Sequence, residues 1–121
     1  MGIEFSLRKL ERFKRQFANG IELKNILDDT QYWIDNKTYE SDEIAVRFHH
    51  RLVQIHCFPN GNGRHSRLMT DTLLTDILDK KPFTLGNGNL SAEGDIRDKY
   101  INALYSGDYH DYEPLKDFVR S

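Results

Sequence analysis

Residues Ser41–Phe58, SDEIAVRFHHRLVQIHCF, constrain the fold more than any other stretch of the chain. Ile44, Ala45, Phe48, Leu52, Val53 and Ile55 recur at helical spacing and spread over more than half of the helix girth. A helix apolar that far round must be covered on several sides, which places it in the middle of a helical bundle. Ser41 suits the N-cap position, with Glu43 and Ile44 following it. Pro59-Asn60-Gly61-Asn62-Gly63 then stops the helix, because proline breaks the hydrogen-bond ladder and two glycines free the backbone.

A new helix follows at once, from Asn62 or Gly63 to about Leu78, with Leu68, Met69, Leu73 and Ile77 as its buried positions. Lys80-Lys81-Pro82 ends it. Upstream, Leu7, Leu10, Phe13 and Phe17 predict a basic helix over about Phe5–Phe17, closed by Asn19-Gly20. Leu23, Ile26, Leu27, Thr30, Trp33 and Ile34 predict another over Glu22–Lys37. Downstream, Gly86-Asn87-Gly88-Asn89 reads as a loop without the Lys, Ser or Thr of a Walker motif. Helices then fit Ser91–Tyr105, through Ile96, Tyr100, Ile101 and Leu104, and Tyr112–Val119. No stretch alternates as a strand would. The expected fold is all-α, a compact bundle of about five to six helices.

Composition narrows the setting. At 121 residues the chain suits a single modest core. A net charge of −2 gives no basic field to draw it onto nucleic acid, so none is expected as a partner. No apolar run approaches the roughly 20 residues of a membrane span, and the first residues lack a signal peptide's apolar stretch. One cysteine, Cys57, forms no intrachain disulfide. The expected location is cytoplasmic.

Chemistry concentrates in His56–Arg67, HCFPNGNGRHSR. The buried helix delivers His56 at its end, a tight glycine turn follows, and the next helix opens towards that turn. Its orphan N–H groups and positive dipole end favour an anion. Gly61 and Gly63 let the backbone approach a phosphate closely. Arg64 and Arg67, one turn apart, share a face and offer planar forks to phosphate oxygens. The segment reads as a polyphosphate cradle beside a histidine able to take a proton near neutral pH.

His56, Phe58, Gly61, Asn62, Gly63, Arg64 and Arg67 resemble, in order and spacing, the signature of the Fic family, with Asn60 where that family places Asp or Glu. The likeness extends through FHHRLVQIH over roughly Glu22–Val119 and is similar most of all to the branch called mobile mystery protein B. It implies a Fic-type core and transfer of AMP from ATP to a Ser, Thr or Tyr hydroxyl of a target protein. By the resemblance, His56 is the general base, and Asn62 with the amides around Gly61 and Gly63 holds the α- and β-phosphates. Arg64 and Arg67 neutralise the β- and γ-phosphates, and Phe58 pins the loop. Mg²⁺ is implied with ATP, and Asn60 offers it a neutral carbonyl oxygen in place of the family's carboxylate. Gly63 favours nucleotidyl transfer over the phosphotransfer of the related Doc toxins, which carry Lys there.

Residues 1–20 stand where the family has upstream helices and a flap for the target, and read as a divergent N-terminal helix; residues 21–121 read as the Fic-like domain. The apolar face that missing helices would expose favours a homodimer. A rival reading, prompted by Asn60 and the missing flap, is a truncated module that binds nucleotide or a partner without catalysis. Ser91-Ala92-Glu93-Gly94 is too tightly spaced for the family's inhibitory helix.

Several residues carry plainer readings. His49, His50 and His65 do not suggest one metal centre, because adjacent helical side chains point about 100° apart. His49 is expected to be buried and hydrogen-bonded, and His50 to lie on the polar face. Cys57 suits a packed, inert thiol. The run Arg8–Arg15 suits a solvated face, and Tyr100, Tyr105, Tyr109 and Tyr112 suit core and rim aromatics.

Overall fold

The computed structural model describes residues 20–55, 62–85 and 94–121. Every regular element among them is helical: α1 (Gly20–Asp35), α2 (Ser41–Ile55), α3 (Asn62–Thr72), a π-helical turn continuing it (Leu73–Ile77), α4 (Gly94–Asp108) and α5 (Glu113–Val119). The all-α expectation holds for these residues. The helix expected over Phe5–Phe17, the basic run Arg8–Arg15, Cys57 and the loop Gly86–Asn89 lie outside them. No described helix is long and apolar enough to cross a membrane. The chain divides into two compact units, Met1–Pro82 and Phe83–Ser121.

In the first unit α2 packs against both α1 and α3. It buries Ile44, Ala45, Val46, Phe48, His49, His50 and Leu52, which is why its sequence is apolar so far round. The amide of Ile44 donates to the carbonyl of Glu40, so Glu40, one residue earlier than expected, holds the N-cap position. From α1 come Leu23, Ile26, Leu27 and Thr30, the buried Thr30 hydroxyl donating 2.7 Å to the Ile26 carbonyl. The helix closes with Lys37 in the left-handed region (φ 51°). There the amides of Lys37 and Thr38 donate to the carbonyls of Ile34 and Trp33, the pairing that satisfies a helix C-terminus. Tyr39 meets the Trp33 ring edge-on, centroids 5.5 Å apart, and carries the Arg47 guanidinium 4.0 Å over its face.

The α3 helix presents Ser66, Met69, Thr70 and Leu73 as its buried stripe, joined by Leu74. Leu68, expected in the core, is 56% exposed. At ~100° per residue it stands about half a turn away from Ser66 and Thr70, the two polar residues that hold the buried side. The expected continuous helix to Leu78 also changes hand-hold: from Leu73 it widens into the π turn, where the Leu78 amide donates to Leu73 across five residues. Ile77 is half-buried there.

The second unit pairs α4 with α5. Ala103 and Gly107, four apart on α4, are buried, as are Leu115, Phe118 and Val119 of α5. Ile96, Tyr100, Ile101 and Leu104 are half-buried flanks instead of core. Tyr100 packs on Phe118 with ring centroids 5.6 Å apart, whereas Tyr105 and Tyr109 are exposed. Phe83 and Leu85 are buried, and the Thr84 and Leu85 amides both donate to the Val119 carbonyl.

Candidate functional site

Two helices flank the glycine turn: α2 ends at Ile55, one residue before His56, and α3 begins at Asn62. They pack against each other. His56, Phe58, Asn60 and Gly61 lie outside the described residues. Asn62, Gly63 and Arg64 form the first turn of α3, and Arg67 stands one turn in and half-buried. That first turn contains no acidic residue. Its amides have no intrahelical acceptor and carry the positive end of the helix dipole, so an anion is favoured there.

Behind the turn, α2 and α3 are joined by a buried polar contact. His49 is 1% exposed, and its Nδ1 lies 3.2 Å from the Thr70 hydroxyl oxygen. That hydroxyl donates its single proton to the Ser66 carbonyl at 2.7 Å. It can therefore only accept from the ring, so Nδ1 carries the imidazole proton. His49 is buried and hydrogen-bonded, as expected. His50 is not on a polar face: it is 3% exposed, because α2 is covered from both sides and leaves less of its girth to solvent than a single-sided helix does. Ser66 and Thr70 had no place among the sequence candidates. Their signal was two small hydroxyl residues four apart on the stripe that also carries Met69 and Leu73. Among the described residues, no group of three or more His, Cys, Asp and Glu side chains comes together to hold a metal.

Burial pushes the His49 pKa down from its usual 6.5 to about 4; a hydrogen bond of the ring itself with the Ser66 backbone opposes this, and the charges of His50 and Arg67 add to the lowering. The folded protein thus binds this proton less readily than the unfolded chain. Stability from this residue is fully present above pH 6.5 and is lost as pH falls towards 4. The full loss is about 3 kcal/mol, at roughly 1.4 kcal/mol for each tenfold change in proton affinity. Urea melts at pH 7 and pH 4.5 should show most of that loss in the wild type. His49→Asn, which cannot titrate in this range, should show a visibly flatter dependence; equal slopes in the two proteins would remove His49 as the cause.

The likeness to known proteins runs through the same segment. A profile described as the Fic/DOC family matches residues 3–74, a span that contains α1, α2 and α3. The chain is 28% identical over 101 residues to the "Protein adenylyltransferase Fic" of Aedes aegypti, covering 81% of this chain and 19% of that protein. It is 32% identical over 81 residues to a "Probable protein adenylyltransferase" of Aquifex aeolicus (strain VF5), covering 66% of this chain and 22% of the relative. The chain therefore spans about a fifth of the length of these relatives. No solved structure matches it at a significant level. On a match that takes in more than half of its residues, the chain belongs to the Fic/DOC family.

Proposed function

We propose that the chain transfers AMP from ATP to a Ser, Thr or Tyr hydroxyl of a target protein. The observation that supports this most is the acid-free N-terminus of α3, with Arg67 one turn behind it, packed against the helix that ends just before His56. The names of the relatives, both protein adenylyltransferases, agree with it.

In this reading the amides of α3's first turn, with Gly61, Asn62 and Gly63, hold the α- and β-phosphates. Arg64 and Arg67 oppose the charge that grows on the β- and γ-phosphates as pyrophosphate departs. His56 takes the proton of the target hydroxyl, the freed oxygen bonds to the α-phosphorus, and the bond from that phosphorus to the β-phosphate's bridging oxygen breaks. In the same reading Phe58 pins the turn.

Mg²⁺ fits only in part. The described residues gather no acidic cluster, and the donor offered by the motif is the neutral Asn60 carbonyl oxygen, a proper Mg²⁺ ligand that lacks charge. Bound to ATP, the ion would supply neutralisation of the phosphates, held mainly by them. Asn60→Asp should accordingly tighten Mg²⁺-dependent ATP binding by about three- to tenfold, since a charged oxygen replaces a neutral one. Calorimetry with and without Mg²⁺ measures this, and a weaker or Mg²⁺-independent response would argue against Asn60 as a ligand.

The reading itself is tested by incubating the protein with ATP labelled at the α-phosphate and a cell lysate. Label on protein supports AMP transfer. Intact ATP binding with no label on any protein would favour the rival reading that Asn60 prompts, a nucleotide-binding module without catalysis.

A further inference from the structure

We propose that His49 is a positioning residue for the phosphate-binding end of α3: its ring N–H, seated on the Thr70–Ser66 pair, sets the register of α3 against α2 and so places Arg67. The inference rests on the proposed function, because the register of α3 matters to activity only if nucleotide is held at its N-terminus.

The residue stands where a leucine would be ordinary. It is 1% exposed, in a row with the fully buried Phe48 and Leu52. Burying an imidazole costs free energy that an apolar side chain would not, unless its polar atoms are satisfied. Here the ring N–H reaches across to Thr70 at 3.2 Å, and Thr70 passes the bond on to Ser66 at 2.7 Å. Apolar contacts tolerate sliding and rotation; a hydrogen bond has narrow limits of distance and angle. One such bond between two packed helices therefore fixes both the rotation of α3 about its axis and its slide along α2. A satisfied buried chain of this kind rigidifies what it joins.

What it joins is next to the site in both directions. Ser66 follows the first turn of α3 by one residue and directly precedes Arg67. Arg67 lies close enough to His49 for its charge to disfavour a second proton on the ring, so the guanidinium and the clasp share one neighbourhood. On the other side, α2 runs from His49 to Ile55, the last residue before His56. The clasp is a polar tie between the helix that leads to the proposed base and the helix proposed to grip the phosphates.

The test uses the whole chain and ATP with Mg²⁺, titrated by calorimetry below the melting temperature of the weakest variant. Removing the donor (His49→Leu) or the acceptor (Thr70→Val) should weaken ATP binding about tenfold with the protein still folded. His49→Asn places an amide N–H near the old Nδ1 and should bind within about threefold of wild type. Arg67→Ala should cost about tenfold in wild type and under about twofold in His49→Leu, because a misplaced arginine has less to lose. Folded Leu and Val variants that bind like wild type overturn the inference, as does an Asn variant that fails as badly as Leu. If His49→Leu does not fold, the milder Thr70→Val decides. A wild type that binds no ATP sinks the proposed function, and this inference with it, whereas equal binding by all variants sinks this inference alone.

Discussion

Replacing His56 with alanine should lower transfer of AMP to protein about a hundred- to ten-thousand-fold, the usual contribution of a general base. ATP affinity should meanwhile stay within about threefold, because in the proposed function phosphate is held by helix amides and guanidinium groups and not by the imidazole. The two readouts separate the roles. A loss of rate with affinity kept marks a group that acts on the target's proton. A parallel loss of affinity would instead make His56 a phosphate ligand or a prop for the turn. Transfer that persists in the variant would show that some other group, or solvent, takes the proton, and the assignment of His56 would have to be abandoned.

Phe48→Ala should be the most damaging change to stability, costing about 3–5 kcal/mol. Phe48 is fully buried near the middle of α2, which packs against both α1 and α3. Truncation there loses the transfer free energy of the ring and leaves a cavity that helices held on two sides cannot easily fill. Since small domains are stable by only about 5–15 kcal/mol, the loss is a large share of the total. The contrast is Leu68→Ala. Both residues are large and apolar and both sit on helices of the first unit, but Leu68 is 56% exposed, so its truncation should stay within about 0.5 kcal/mol. Urea melts of the two variants check the pair together. Comparable losses would mean that Leu68 is covered in solution, and that the core is larger than the described residues show.

The same contrast marks where the sequence was legible. Periodicity located α1, α2, α4 and α5 to within a few residues, because each has a stripe of apolar side chains that no strand pattern competes with. The girth of α2 announced a helix covered from two sides, and the covering was found. The break between α2 and α3 was expected for a different reason: proline cannot continue a helix and glycine frees the backbone, so a turn there could be expected without knowing the packing. What escaped was phase. On α3 the buried stripe is held by Ser66 and Thr70 as well as by Met69 and Leu73, and assigning only apolar residues to the core rotates such a helix the wrong way. Leu68 was misplaced for that reason. His50 was misplaced for the converse one, since a polar side chain on a doubly covered helix has nowhere else to go. Of the candidate site, Arg67 and the backbone of Asn62, Gly63 and Arg64 are described, and the roles given to them and to His56, Phe58, Asn60 and Gly61 stand as proposals.

The π turn at Leu73–Ile77 is wider than the helix it continues. Such a turn holds about one residue more than an α-helical turn does, so it works as an expansion joint: surplus length is taken up locally and the rod on its near side keeps its phase. The helix whose N-terminus is proposed to hold phosphate, Asn62–Thr72, lies on that near side. Deleting a single residue within Leu73–Ile77 should then restore an ordinary α-helical turn, with the N-terminus of α3 left where it was and the chain just beyond the turn keeping nearly the same phase. Relatives that differ by one residue in this stretch can thus share one geometry at the N-terminus of the helix, the difference in length being absorbed within the turn.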